Sequence, residues 1–208
     1  MARFNDASFP PRADWDRRLS EIACPKLLPA QAVHENPWFS VWNRGGYFTV
    51  EYHQRQVAVL PVVNGEAIAM VRVRRPVIAD MTLELPAGAV EHGEDPVHAA
   101  SRELAEEAGI VIPDLGRYIP MPPIAISSTR MPRLSYVFRV DVSENEFSAR
   151  RPHDEEIHSV ERIPIANLAG MMAGGAIYVS LTLAVLGIFL SSHCRAAPGA
   201  GDTLFKVT

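Results

Sequence analysis

Cysteine is scarce. The chain of 208 residues has two, Cys24 and Cys194, far apart and at no metal-ligand spacing. Neither a disulfide framework nor a thiolate zinc site is implied, and a reducing cytoplasm is the expected compartment. Excess positive charge is lacking too: 20 Lys and Arg face 24 acids, for a formal net charge of −4. That argues against a surface that coats nucleic acid, while leaving recognition of one small anion open. The opening residues MARFNDASFPPRADWDRR form no apolar run and carry acids, so no signal peptide is expected. One apolar stretch stands out, AIYVSLTLAVLGIFL at 176–190. It has fifteen residues, contains Ser180 and Thr182 and lacks a basic flank. It is expected to be a buried helix rather than a membrane span. No internal repeat is present.

With 48% hydrophobic and 21% charged residues, the composition is that of an ordinary globular protein, and the length suits one well-buried domain. Residues 1–36, rich in proline and charge, read as an N-terminal arm with a short helix around Trp15 to Ala23. The domain proper is expected at 37–192 and a tail without clear signal at 193–208. Trp38 to Trp42 and Tyr47 to His53 flank Asn43-Arg44-Gly45-Gly46 and predict a first hairpin. Gln56 to Val63 and Ala67 to Val73 flank Asn64-Gly65, the strongest hairpin signal in the chain. Further strands are expected at Leu134 to Val142 and Ser159 to Pro164, an exposed loop at 143–153, and helices at 165–172 and 176–190.

The chain is organised around GAVEHGEDPVHAASRELAEEAGI, Gly88 to Ile110. Asp95-Pro96 predicts a helix start, with a capping side chain followed by a proline whose missing N–H is tolerated there. Gly109 predicts the stop. Val97, Ala100, Leu104 and Ala108 fall on one side and should face the core. Glu103, Glu106 and Glu107 lie within an arc of roughly 100° on the other side. Glu103 and Glu107, spaced i,i+4, can converge on one point, and like charges there are unfavourable unless a cation intervenes. Hard oxygen donors with no cysteine nearby favour Mg²⁺ or Mn²⁺ over zinc. Taken alone, the same residues also describe a solvated acidic helix face.

The spacing decides between the two. Gly88, Glu94, Arg102, Glu103, Leu104, Glu106, Glu107, Gly109 and Ile110 fit the Nudix box without a mismatch, and the chain resembles the Nudix hydrolases. The resemblance implies an α/β/α sandwich with a mixed sheet, an N-terminal antiparallel sheet and cleavage of a nucleoside diphosphate linked to another group. The approach VRVRRPVIADMTLELPAG, Val71 to Gly88, is similar to that of the ADP-ribose pyrophosphatase branch. By that resemblance Arg75 contacts substrate and Glu84 lies near the metals. Glu103, Glu106, Glu107 and the Ala87 carbonyl would be metal ligands, and Arg102 would orient a ligand carboxylate. The general base in that branch resembles a glutamate on a loop well after the box. Glu155 and Glu156 are the candidates here, ahead of Glu144 and Glu146. His153 and His158 read as solvated or packing residues.

Several prolines (Pro120, Pro122, Pro123, Pro132) follow the box, where the branch carries a proline as a substrate-class marker. The acidic residue that often follows that marker is replaced by Ser127-Ser128-Thr129-Arg130. Trp38, Phe39, Trp42 and Tyr47 either stack on a base or pack in the core. The branch commonly forms homodimers, so a homodimer is expected. ADP-ribose or a related nucleoside diphosphate sugar is the implied substrate. Dinucleoside polyphosphates, coenzyme A and oxidised nucleotides remain alternatives, as does a non-catalytic nucleotide-binding module. The intact carboxylates favour the enzyme.

Overall fold

Asn64 and Gly65 both take positive φ, 53° and 71°, as an Asn-Gly hairpin requires. They join β4 (Arg55–Val63) to β5 (Ala67–Arg75). This computed structural model describes residues 24, 27–151 and 154–194. The helix expected around Trp15 and the tail beyond 194 lie outside the described residues.

β4 and β5 pair only near their turn, at Val62↔Ile68 and Val63↔Ala67. Beyond it they part, and β6 (Asp80–Glu84) with β7 (Ala87–Val90) fills the gap, β6 pairing with β5 and β7 with β4. On its other side β4 runs parallel to β9 (Tyr136–Val142), from Val57↔Tyr136 to Val63↔Val142. With β8 (Ile119–Pro120) and β10 (Ile157–Pro164) these make a mixed, seven-stranded sheet. β4 is buried along most of its length, which explains its run of valines where a half-exposed strand would alternate.

Each face of the sheet carries a helical layer. On one, Val57, Val59, Val71 and Val73 pack against Ala99, Ala100, Leu104 and Ala108 of α1 (Pro96–Ala108) and Phe147 of α2 (Glu144–Ser148). On the other, Leu60, Val62, Ile68 and Met70 meet Leu168 of α3 (Ile165–Ala173) and Val185, Leu186 and Phe189 of α4 (Ser180–Cys194). Each large aliphatic side chain removed from water there contributes about 1.5–3 kcal/mol. The result is the expected α/β/α sandwich. No helix among the described residues is long and apolar enough to cross a membrane.

The N-terminal antiparallel sheet is also present, as β1 (Ala30–Glu35), β2 (Phe39–Arg44) and β3 (Tyr47–Tyr52). The boundary expected at residue 36 therefore falls inside this sheet, because AQAVHE, read as arm, pairs with β2 from Ala30↔Arg44 onward. All six of its residues are exposed, so no buried face imposed an alternating pattern. The sheet meets the sandwich through residues 130–133. Val50 N–H donates to the Arg130 carbonyl at 2.8 Å, and the Arg133 guanidinium donates to the carbonyl oxygens of Tyr52 and His53.

Two other expectations are corrected. The stretch read as an exposed loop at 143–153 holds α2, started by a capping box in which Ser143 and Glu146 bond each other's backbone N–H. The apolar C-terminal helix begins at Ser180, after a turn at Gly174-Gly175, and runs past the boundary expected at 192 to Cys194.

Candidate active site

The helix α1 is built as its caps dictate. The Asp95 carboxylate accepts from Val97 N–H, Pro96 opens the first turn, and Gly109 closes the helix in the left-handed region at φ 67°. Its three carboxylates share one arc of the helix but are not equivalent. Glu106 is exposed, whereas Glu103 is buried at 8% relative exposure. The strand β7 causes the difference, by packing over that side of the helix. A Cβ on Gly88 would lie 2.2 Å from the Glu103 carboxyl carbon, so the missing side chain of Gly88 is the cradle in which that carboxylate sits.

Arg102 neutralises the crowd of acids. Its Nε and Nη2 each donate to Glu94 at 3.1 Å, and its Nη1 donates to Glu103 at 2.8 Å and Glu106 at 3.0 Å. Nη2 also reaches the Ala89 carbonyl at 2.8 Å. One guanidinium thus ties the first strand of the box to its helix, which a lysine point charge would not do. Even so, burial pushes the Glu103 carboxyl above the ordinary range, with Arg102 opposing and the charges of Glu106 and Glu94 adding to the rise.

Glu107 turns toward the end of the β6–β7 connection and accepts the Ala87 N–H at 2.8 Å. Burial, aided by the nearby charges of Glu103 and Glu84, pushes its pKa up to about 7. Glu84 completes the group from β6. Its carboxylate takes a two-pronged bond from Arg75, at 2.8 and 2.9 Å, and a further one from the Thr82 hydroxyl. Burial would raise its pKa, but Arg75 and Thr82 outweigh it, and the carboxyl is held below the ordinary range. Arg75 also feels Glu107 and Glu156. The structure therefore brings together Arg75, Glu84, Ala87, Arg102, Glu103, Glu106 and Glu107.

Glu155 and Glu156 are exposed, on the turn that leads into β10. That segment is fastened to the end of α1. Arg151 N–H donates to the Gly109 carbonyl and Asp154 N–H to the Glu106 carbonyl, each at 2.9 Å. Glu144 and Glu146 are engaged elsewhere, with Arg162 at 2.9 Å and with Arg117. His158 is exposed and His153 lies outside the described residues. Trp42 is placed in the three-stranded sheet, with the Arg44 guanidinium 5.1 Å from its ring centroid. It is not one of the residues that meet at the end of α1.

Sequence reasoning had missed the roles of Gly88 and Thr82. Gly88 had a signal, since it opens the box of acids; Thr82, buried on β6, had none.

Among the described residues, no three His, Cys, Asp or Glu side chains gather closely enough to enclose a metal ion unaided. The donors fit a hard divalent cation nonetheless. A buried carboxylate in a glycine cradle, Glu103, and a half-buried one, Glu107, match the one or two protein ligands that Mg²⁺ takes when waters and substrate oxygens complete its shell.

A family model described as NUDIX domain matches residues 52–180, and the chain belongs to that family. Curated relatives match part of the chain. An ADP-ribose pyrophosphatase of Bacillus subtilis (strain 168) is 44% identical over 57 residues, which is 27% of this chain and 31% of that protein. An ADP-sugar pyrophosphatase of Mus musculus is 44% identical over 57 residues, 26% of each chain. A methanol dehydrogenase activator of Bacillus methanolicus is likewise 44% identical over 57 residues, 27% of this chain and 31% of that one. The matched stretch thus spans less than a third of each relative. The first two names agree with the branch to which Val71 to Gly88 pointed. A solved structure titled "Crystal structure of ADP compounds hydrolase" superposes with a TM-score of 0.65 at 16% identity, covering 86% of this chain and 99% of its own. The two share a fold.

Proposed function

We propose that the chain hydrolyses the diphosphate linkage of ADP-ribose or a related nucleoside diphosphate sugar, giving a nucleoside monophosphate and a sugar phosphate. The observation that carries this reading is the meeting, beside Gly88, of the inward-turned carboxylates of Glu103 and Glu107 with the Arg75–Glu84 pair. Glu103 and Glu107 would hold Mg²⁺ (or Mn²⁺), with Glu106 and the Ala87 carbonyl as further oxygen donors. The bound cation supplies neutralisation of the diphosphate oxygens and a water that is easier to deprotonate.

The remaining work falls to the chain's own groups. Arg102 fixes the rotamers of Glu103 and Glu106, because any swing of either breaks a charge-assisted bond. Arg75, anchored by Glu84, offers a guanidinium to a substrate phosphate. Glu155 or Glu156 accepts the proton of the attacking water. Of the two we favour Glu156, whose charge bears on Arg75. The names of the pyrophosphatase relatives support the substrate class.

A homodimer through the N-terminal sheet belongs to the same reading, as does a cytoplasmic location. Trp38, Tyr47 and Phe48 are 71, 59 and 49% exposed on or beside that sheet, an apolar surface that a second copy would cover. Equilibrium sedimentation at assay dilution tests the dimer. A panel of nucleotide sugars, dinucleotides and coenzyme A with Mg²⁺, read by release of phosphomonoester, tests the activity. Selective turnover of ADP-ribose or an ADP-sugar is expected. No turnover of any panel member would leave the chain a binding module.

A further inference from the structure

We infer that Gly109 is a positioning residue. It leaves room for the segment that carries Glu155 and Glu156 to lock, backbone to backbone, onto the end of the carboxylate helix. The inference rests on the hydrolase reading above and adds a part to it.

A helix normally presents its last carbonyl oxygens to water or to a local cap. At the end of α1 two of them are taken by a distant segment. The Glu106 carbonyl accepts Asp154 N–H, and the Gly109 carbonyl accepts Arg151 N–H, both at 2.9 Å. The second bond brings the two backbones close. A Cβ on Gly109 would stand 2.1 Å from the Arg151 carbonyl oxygen and 3.0 Å from its carbon. These atoms are backbone, so the clash is not relieved by turning a side chain.

Glycine at this position therefore does two separable things. It adopts φ 67° to end the helix, and it admits the facing strand of backbone. The first need is met equally at Gly65, where φ is 71° and a Cβ would find nothing within 4 Å. The second is specific to Gly109. The distance between the helix carboxylates and the exposed pair at 155–156 is thereby set by main-chain bonds rather than by flexible side chains. A displacement of about 1 Å at such a place is enough to lower a rate by about two orders of magnitude.

The test compares G109A with G65A, which carries the same backbone strain without the clash. Amide hydrogen exchange is read at Arg151 and Asp154, together with kcat and KM for ADP-ribose and the affinity for Mn²⁺ alone. For G109A, exchange at both amides is expected to rise at least tenfold and kcat to fall at least thirtyfold. KM and Mn²⁺ affinity are expected to stay within threefold of the parent, and G65A to match the parent in every readout. If G109A does not fold, D154P removes the other amide of the clamp, the one that donates to the Glu106 carbonyl, and D154A controls for its side chain. D154P should then lose kcat where D154A does not. Unchanged exchange at Arg151 and Asp154, or a kcat within twofold, overturns the inference. A parent protein that turns over no nucleotide sugar sinks the hydrolase reading instead, and the exchange comparison still decides the clamp.

Discussion

Substitution of Gly88 by alanine isolates the cradle of Glu103. The backbone of β7 accepts alanine without strain, because Gly88 pairs with Val57 as ordinary strand. The added methyl, however, would stand 2.2 Å from the carboxyl carbon and Oε1 of Glu103 and 2.4 Å from Oε2. Non-bonded carbon and oxygen atoms settle at roughly 3.5 Å, so the carboxylate must retreat by about 1 Å or turn away from Arg102. Misplacing a reacting constellation by that much lowers the rate about 100-fold, equivalent to about 2.7 kcal/mol of transition-state stabilisation. Folding should respond far less. Burial already disfavours the Glu103 charge, and its exit from the cradle offsets the lost bond to Arg102, leaving a change within about 1 kcal/mol. The assay is steady-state release of AMP from ADP-ribose across a Mg²⁺ titration, with urea unfolding of the same preparation. A G88A protein that keeps kcat within threefold, at unchanged Mg²⁺ dependence, would refute the proposal that Glu103 holds the metal.

Glu107→Gln should abolish turnover and also alter the pH dependence of stability. Its folded pKa of about 7 lies above the ordinary value of 4.5, so the native state binds the extra proton. Metal-free stability should then fall as pH rises from about 4.5 to 7 and level off above, by up to about 3 kcal/mol; urea midpoints for E107Q should lack that slope. Arg75→Ala should raise KM for ADP-ribose tenfold or more and lower stability by about 1–3 kcal/mol, because Glu84 is left buried without its partner. R75A/E84Q should recover the stability but not KM, as unfolding and kinetics on the same samples would show. Glu156→Gln should lower kcat by about 10²–10⁴-fold with Mn²⁺ affinity unchanged, and Glu155→Gln should do so if it is instead the base. Ser143→Ala should cost about 1 kcal/mol through loss of the α2 cap and leave turnover alone.

Elements with local punctuation were readable from the residues. Asn64-Gly65, Asp95-Pro96 and Gly109 each impose a backbone conformation that no tertiary contact need supply, and all three turned out as expected. β1 was not readable, since a strand exposed along its length carries no alternation. The start of the last helix was misplaced because AIYV is as apolar as the turns after it, and only the fold decides that Ile177 packs in the core before the helix begins. α2 did leave a signal, Ser143 and Glu146 at capping-box spacing. At the site, the helical wheel grouped Glu103, Glu106 and Glu107 on one arc but could not give their unequal burial. Burial of Glu103 comes from β7, twelve or more residues earlier in the chain, and periodicity within α1 cannot report it.

The parting of β4 and β5 has a practical use. Because the inserted pair β6–β7 closes the gap, the connection from Pro76 to Ala79 projects beyond the body of the sheet, and Val77 at its tip is 98% exposed. A dye or spin label attached there would sit two residues from Arg75 on an outcrop that the core does not need. Such a probe would report arrival of a phosphate-bearing molecule by a change in its signal, without a hydrolysable bond in the ligand.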